Sequence, residues 1–207
     1  MFIISLFIGL ICLITAVTIH EFAHAWAADR LGDPTARAEG RLTLNPVAHV
    51  DPIGTLLLPL SLLFVSGGTF SYGWGKPTPF DPYNLANPKK DIALISIAGP
   101  ISNLLLAVVC AILLRLLPPI SAILLIPLIM TNLAIAIFNL IPIGPLDGQK
   151  ILFGLLPRDL AYEFQSITTR YGTLLLIFLI FPFFGEAPIS ALMNPVLNFF
   201  LSLLLPK

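Results

Sequence analysis

Residues 2–28, 92–114 and 120–141 are almost unbroken apolar runs. Each is long enough to carry a helix across about 30 Å of hydrocarbon. A soluble core could not enclose them, because the polar surface to coat it is missing. Of 207 residues, 57% are hydrophobic and 11% charged, against roughly 45–50% and about 25% in soluble domains. The chain therefore belongs in a bilayer. Eleven Lys and Arg balance eleven Asp and Glu, so no basic excess marks a nucleic-acid surface, and nucleic acid is not expected as a partner. Cys12 and Cys110 lie inside apolar runs and read as small buried hydrophobes rather than as disulfide or metal thiols.

The expected architecture is an all-α polytopic membrane protein with about five spanning helices, a re-entrant segment and a small β-hairpin at the membrane surface. The first run ends near Ala25-Trp26-Ala27, which resembles a small-residue cleavage site. It lacks a basic lead-in, however, and outruns a signal peptide's apolar stretch of roughly 7–15 residues, so it is expected to be retained. Residues 53–65 contain Pro59 and are too short to cross comfortably. Residues 66–90 are rich in Gly, Pro and aromatics, and the hairpin is placed over residues 66–80, with an edge open to strand addition. Residues 171–184 and 189–205 supply the last two helices. Pro182 and Pro195 interrupt them, leaving open two full spans or a shallow hairpin. Residues 1–207 form one domain, with a core to about residue 157 and C-terminal helices from about residue 160.

Charge sets the topology. If residues 53–65 do not cross, Arg30, Arg37, Arg41, Lys76, Lys89, Lys90, Lys150, Arg158, Arg170 and Lys207 share one side, with Arg115 alone opposite. That bias makes the first side cytoplasmic. If residues 53–65 cross instead, the bias disappears. The segment is therefore expected to re-enter, shielded by protein because irregular backbone cannot face lipid.

His20-Glu21-Phe22-Ala23-His24 is an H-E-x-x-H motif on a helix. Residues i and i+4 share a face, so both imidazoles can bind one zinc while Glu21 reaches its bound water. Snorkelling at a helix end is the plainer alternative, but ionisable groups inside a membrane are costly and usually functional. At 1.5 Å rise per residue the metal would lie roughly 8–13 Å below the cytoplasmic boundary. Catalytic zinc needs a third protein ligand. Ala27 and Arg30 break the longer H-E-x-x-H-x-x-G-x-x-H pattern, leaving His49, Glu39, Asp147 and Glu163 as candidates. Asp147 stands out through its setting, just past Pro142 and Pro145, which break the preceding helix. Asn103, deep in an apolar run, reads chiefly as an interhelical hydrogen-bonding residue.

The H-E-x-x-H helix together with Asn139-x-x-Pro142-x-x-Pro145-Leu146-Asp147-Gly148 resembles the site-2 protease family of intramembrane zinc metalloproteases. Ala98-Gly99-Pro100-Ile101-Ser102-Asn103, His49-Val50-Asp51-Pro52-Ile53-Gly54 and Gly73-Trp74-Gly75-Lys76-Pro77 are similar to the same family, in a compact form without PDZ or CBS domains. The resemblance implies His20, His24 and Asp147 as ligands of one zinc per chain, Glu21 as general base, and Asn139 as a substrate contact. It also implies cleavage within or near transmembrane segments of membrane proteins, close to the cytoplasmic face. His49 is a further candidate for holding substrate or stabilising the oxyanion, with capping the entry to residues 53–65 as its alternative role. So compact a chain fits a prokaryotic cell (inner) membrane. The competing reading is a metal transporter or metal-binding scaffold using the same histidines, and Glu21 separates the two: proteolysis needs it as a base, transport as a ligand. Serine chemistry has no G-x-S-x-G site here.

Overall fold

The computed structural model describes residues 2–65, 73–181 and 187–205. Eight α-helices occur among them: α1 (Phe2–Arg30), α2 (Thr35–Ala38), α3 (Leu58–Val65), α4 (Pro88–Leu116), α5 (Ala122–Asn139), α6 (Asp147–Leu155), α7 (Arg158–Ile180) and α8 (Pro188–Leu204). Three helical stretches are long and apolar enough to cross a membrane: Ile3–Arg30, Pro88–Leu116 and Pro119–Asn139. They coincide with the three long apolar runs. Pro52–Ser61 and Pro188–Leu204 are shorter apolar helices.

The three long helices pack in sequence. α4 runs antiparallel to α1, since Asn103 donates to the Ala16 carbonyl while His24 donates to the Ile95 carbonyl. In lipid there is little hydrophobic drive for helix association, so close packing must come from small side chains. α4 supplies them as Ala107, Cys110 and Ala111, which meet Leu125, Ile129, Leu133 and Ile137 of α5 in a buried cluster. Cys12 and Cys110 are both buried free thiols, as their apolar settings predict. A second cluster joins Ile141 and Leu146 to Leu176 and Ile180 of α7 and Ile189 of α8, seating the C-terminal helices against the turn after α5.

The surface hairpin is a correction. Among the described residues there is no strand, and residues 66–72 lie outside them. Residues 73–81 instead form an irregular strap bonded to the preceding loop: Trp74 N–H donates to Gly54 O (3.0 Å) and Lys76 N–H to His49 O (2.8 Å). The Gly and Pro residues that signalled a turn also break up regular ladder pairing. Residues 52–65 are helical, beginning as a wide turn at Pro52 capped by the Asp51 side chain, which accepts from Ile53 and Gly54 N–H.

Buried Asp33 ties the loops at the C-terminal end of α1 together. It accepts from Thr35 N–H and Oγ1, Asn84 Nδ2 and Asp81 N–H. Burial pushes its carboxyl up, but these donors outweigh burial and hold it below the usual carboxylate range. A depressed pKa contributes stability above the unfolded value of about 3.9, lost as pH falls through the folded value. Asp33→Asn is thus expected to lower stability by about 1–3 kcal/mol at neutral pH. In detergent melts the gap to wild type should narrow below about pH 4; an equal gap at every pH would contradict this role.

Candidate metal centre

His20 and His24 stand one turn apart on α1, and their rings meet edge-to-face with centroids 4.6 Å apart. Opposite them, the chain leaves α5 at Asn139, turns through residues 140–146 with Gly144–Pro145 cis, and starts α6 at Asp147. Gly148 allows that turn to close. A Cβ there would lie 2.4 Å from both the Leu140 and Ile141 carbonyl oxygens. The closed turn puts Asp147 Oδ2 3.0 Å from His20 Nε2 and 3.1 Å from His24 Nε2. The ligand atoms of these three buried residues lie within 4.8 Å of one another.

The surroundings prepare both imidazoles for a metal. His20 Nδ1–H donates to Asn103 Oδ1 (2.6 Å) and His24 Nδ1–H to the Ile95 carbonyl (2.8 Å). A neutral ring with its proton on Nδ1 has Nε2, the atom on the Asp147 side, available as a metal ligand. Metal-binding histidines usually have such an oriented outer nitrogen. Gly99 of α4 forms the floor of this cradle, for a Cβ there would come within 2.5–2.7 Å of both imidazole rings. Two imidazoles and one carboxylate are a donor set suited to zinc, with a fourth position available for water.

Glu21 lines the same cavity, which measures about 1180 Å³ and is also walled by α5, α7 and the strap. Its carboxylate lies outside the three-ligand group. Thr78 of the strap positions it, donating N–H to Oε2 (2.8 Å) and Oγ1–H to the Glu21 carbonyl (3.0 Å).

Among the other candidates, half-buried Asn139 lines the cavity and donates Nδ2–H to Ile135 O (3.0 Å). His49 is not a lining residue. It is fully buried, donates Nε2–H to Thr43 O (2.8 Å) and offers its own carbonyl to the strap. Glu39 and Glu163 are exposed, away from the cluster. Sequence reasoning passed over Thr78 and Asn132, met Gly99 only as part of a motif resembling the family, and read Asn103 chiefly as interhelical. Asn132 carried a readable signal, because a polar amide deep in an apolar run requires a partner.

A buried His–His–Asp cluster beside a positioned carboxylate, in a helical membrane protein, has the chemistry of a metallohydrolase. Comparison with known proteins places it. The model of peptidase family M50 matches residues 8–123 and 119–179. "Putative zinc metalloprotease YwhC" of Bacillus subtilis (strain 168) is 36% identical over 200 residues, covering 91% of this chain and 84% of that protein. "Putative zinc metalloprotease Rip2" of Mycobacterium tuberculosis (strain ATCC 25618 / H37Rv) is 34% identical over 143 residues, 67% of this chain and 53% of that protein. The Rip2 protein of Mycolicibacterium smegmatis (strain ATCC 700084 / mc(2)155) is 34% identical over 107 residues, 49% of this chain and 39% of that protein. No solved structure matches the chain. The chain belongs to peptidase family M50, the site-2 protease family, and is a zinc-dependent metalloendopeptidase of the membrane.

Proposed function

We propose that this enzyme hydrolyses peptide bonds within or near transmembrane segments of other membrane proteins, close to the cytoplasmic face. The observation supporting this most is the convergence of His20 Nε2, His24 Nε2 and Asp147 Oδ2 on a largely apolar cavity shared with Glu21. These three residues would hold one zinc per chain, which would supply a water of lowered pKa and a Lewis acid for the scissile carbonyl. Glu21, steadied by Thr78, takes the water proton and returns it to the leaving amine. A spanning helix hides its carbonyls in hydrogen bonds, so the substrate must unwind locally before attack. Asn139, on the cavity wall, holds the opened backbone. His49 acts at one remove, its carbonyl anchoring the strap through Lys76 N–H.

In this reading residues 1–207 act as one membrane-embedded domain, with its core to about residue 157. α7 and α8 complete five spans, and residues 53–65 re-enter from the cytoplasmic side. The host is a prokaryotic cell (inner) membrane. Ten of the eleven basic residues support this sidedness. Against the transporter reading, Glu21 is held by Thr78 rather than grouped with the ligands. The test uses purified protein in vesicles with a panel of single-span membrane peptides. Cleavage should appear, vanish with a zinc chelator and return with added zinc. Zinc movement across the vesicle without cleavage of any peptide would overturn the proposal.

A further inference from the structure

We propose that Asn132, acting through Asn103, is a positioning residue that dictates which nitrogen of His20 faces the metal. The inference rests on the metal-site reading above.

Both amides are fully buried, so no water can satisfy a misdirected group. The direction of the chain is set at its ends by backbone carbonyls, which only accept. Leu128 O takes Nδ2–H of Asn132 (2.8 Å), which turns Asn132 Oδ1 towards α4. There it accepts Nδ2–H of Asn103 (2.8 Å), whose other amide hydrogen goes to Ala16 O of α1 (3.0 Å). Asn103 Oδ1 is thereby left facing His20 Nδ1 at 2.6 Å. An amide oxygen cannot donate, so Nδ1 carries the proton and Nε2 keeps the lone pair that a metal needs. Rotating either amide would press oxygen against carbonyl oxygen in a dry site, where an unsatisfied polar group is costly.

The two ligand histidines are thus governed separately. His24 is oriented by the Ile95 carbonyl of α4, which no side-chain substitution removes. His20 is oriented by a side-chain relay crossing from α5 through α4 to α1. A role limited to holding helices together predicts loss of stability alone, whereas a positioning role predicts an altered metal site at His20, a residue that Asn132 does not itself touch.

The experiment uses the full chain in detergent, with zinc affinity read by chelator competition. Nitrogen-15 NMR of the zinc-loaded protein is simple because the chain has only three histidines. Asn103→Leu is expected to weaken zinc binding by about 10–100-fold, and Asn132→Leu by less. In both, the His20 Nδ1–H signal should shift, although Asn132 does not touch His20. Asn132→Asp keeps an oxygen that accepts Nδ2–H of Asn103 and, when protonated, a donor to Leu128 O, so it should bind zinc within about threefold of wild type. It carries the test if a leucine variant does not fold, and a tenfold loss in it would overturn the proposal. Unchanged affinity and an unchanged Nδ1 signal in both leucine variants would also overturn it. Wild-type protein that binds no zinc would instead remove the metal-site reading, and the relay's purpose with it.

Discussion

Glu21→Gln is expected to lower peptide cleavage by about 10²–10⁴-fold, the usual contribution of a positioned general base, while zinc content stays at the wild-type level. The two readouts separate because Glu21 stands outside the ligand group and is held by the strap. Glutamine preserves the size of the side chain and can still accept from Thr78 N–H, so the strap should stay in place. It cannot accept the water proton at neutral pH. Zinc quantification alongside cleavage of a single-span peptide checks both halves. Loss of zinc in this variant would make Glu21 a ligand, and retained cleavage would remove it as the base.

The second large effect falls on the metal. Asp147→Ala removes the one oxygen that both imidazoles approach, at 3.0 and 3.1 Å. Zinc affinity should fall by at least about 100-fold, beyond what loss of an outer-sphere partner produces, and cleavage should fall with it. His49→Ala should retain zinc, because the His49 ring bonds to Thr43 O and lies outside the ligand group. It should instead lower thermal stability, since it empties a fully buried site. Metal analysis of the two variants side by side decides the third ligand; zinc retained in Asp147→Ala would overturn that assignment.

The parts of this molecule legible in its sequence are those governed by local rules. Helical periodicity alone puts His20 and His24 on one face with Glu21 between them. Length and apolarity mark α1, α4 and α5 as belonging to helical stretches long enough to span a membrane. The hairpin was misread for a related reason. Gly and Pro between aromatic residues are consistent with a turn, but residues 73–81 contain no strand and bond to the backbone of residues 49–54. Local signals report where the chain bends, not what it bends against.

The sequence by itself determined that this is a membrane protein with an H-E-x-x-H helix, because bilayer thickness and helical rise act on contiguous residues. It left the third ligand among four candidates until the wider motif pattern was weighed. Only the tertiary structure decided how Asp147 reaches residues more than a hundred positions away, since that depends on α4 lying antiparallel to α1 and on Gly148 letting the turn after α5 close. The supporting groups are likewise tertiary. Asn103, Asn132, Thr78 and the Ile95 carbonyl each act across helices or loops, and for the fully buried Asn103 and Asn132 the role follows from burial that forces each polar atom to find a partner.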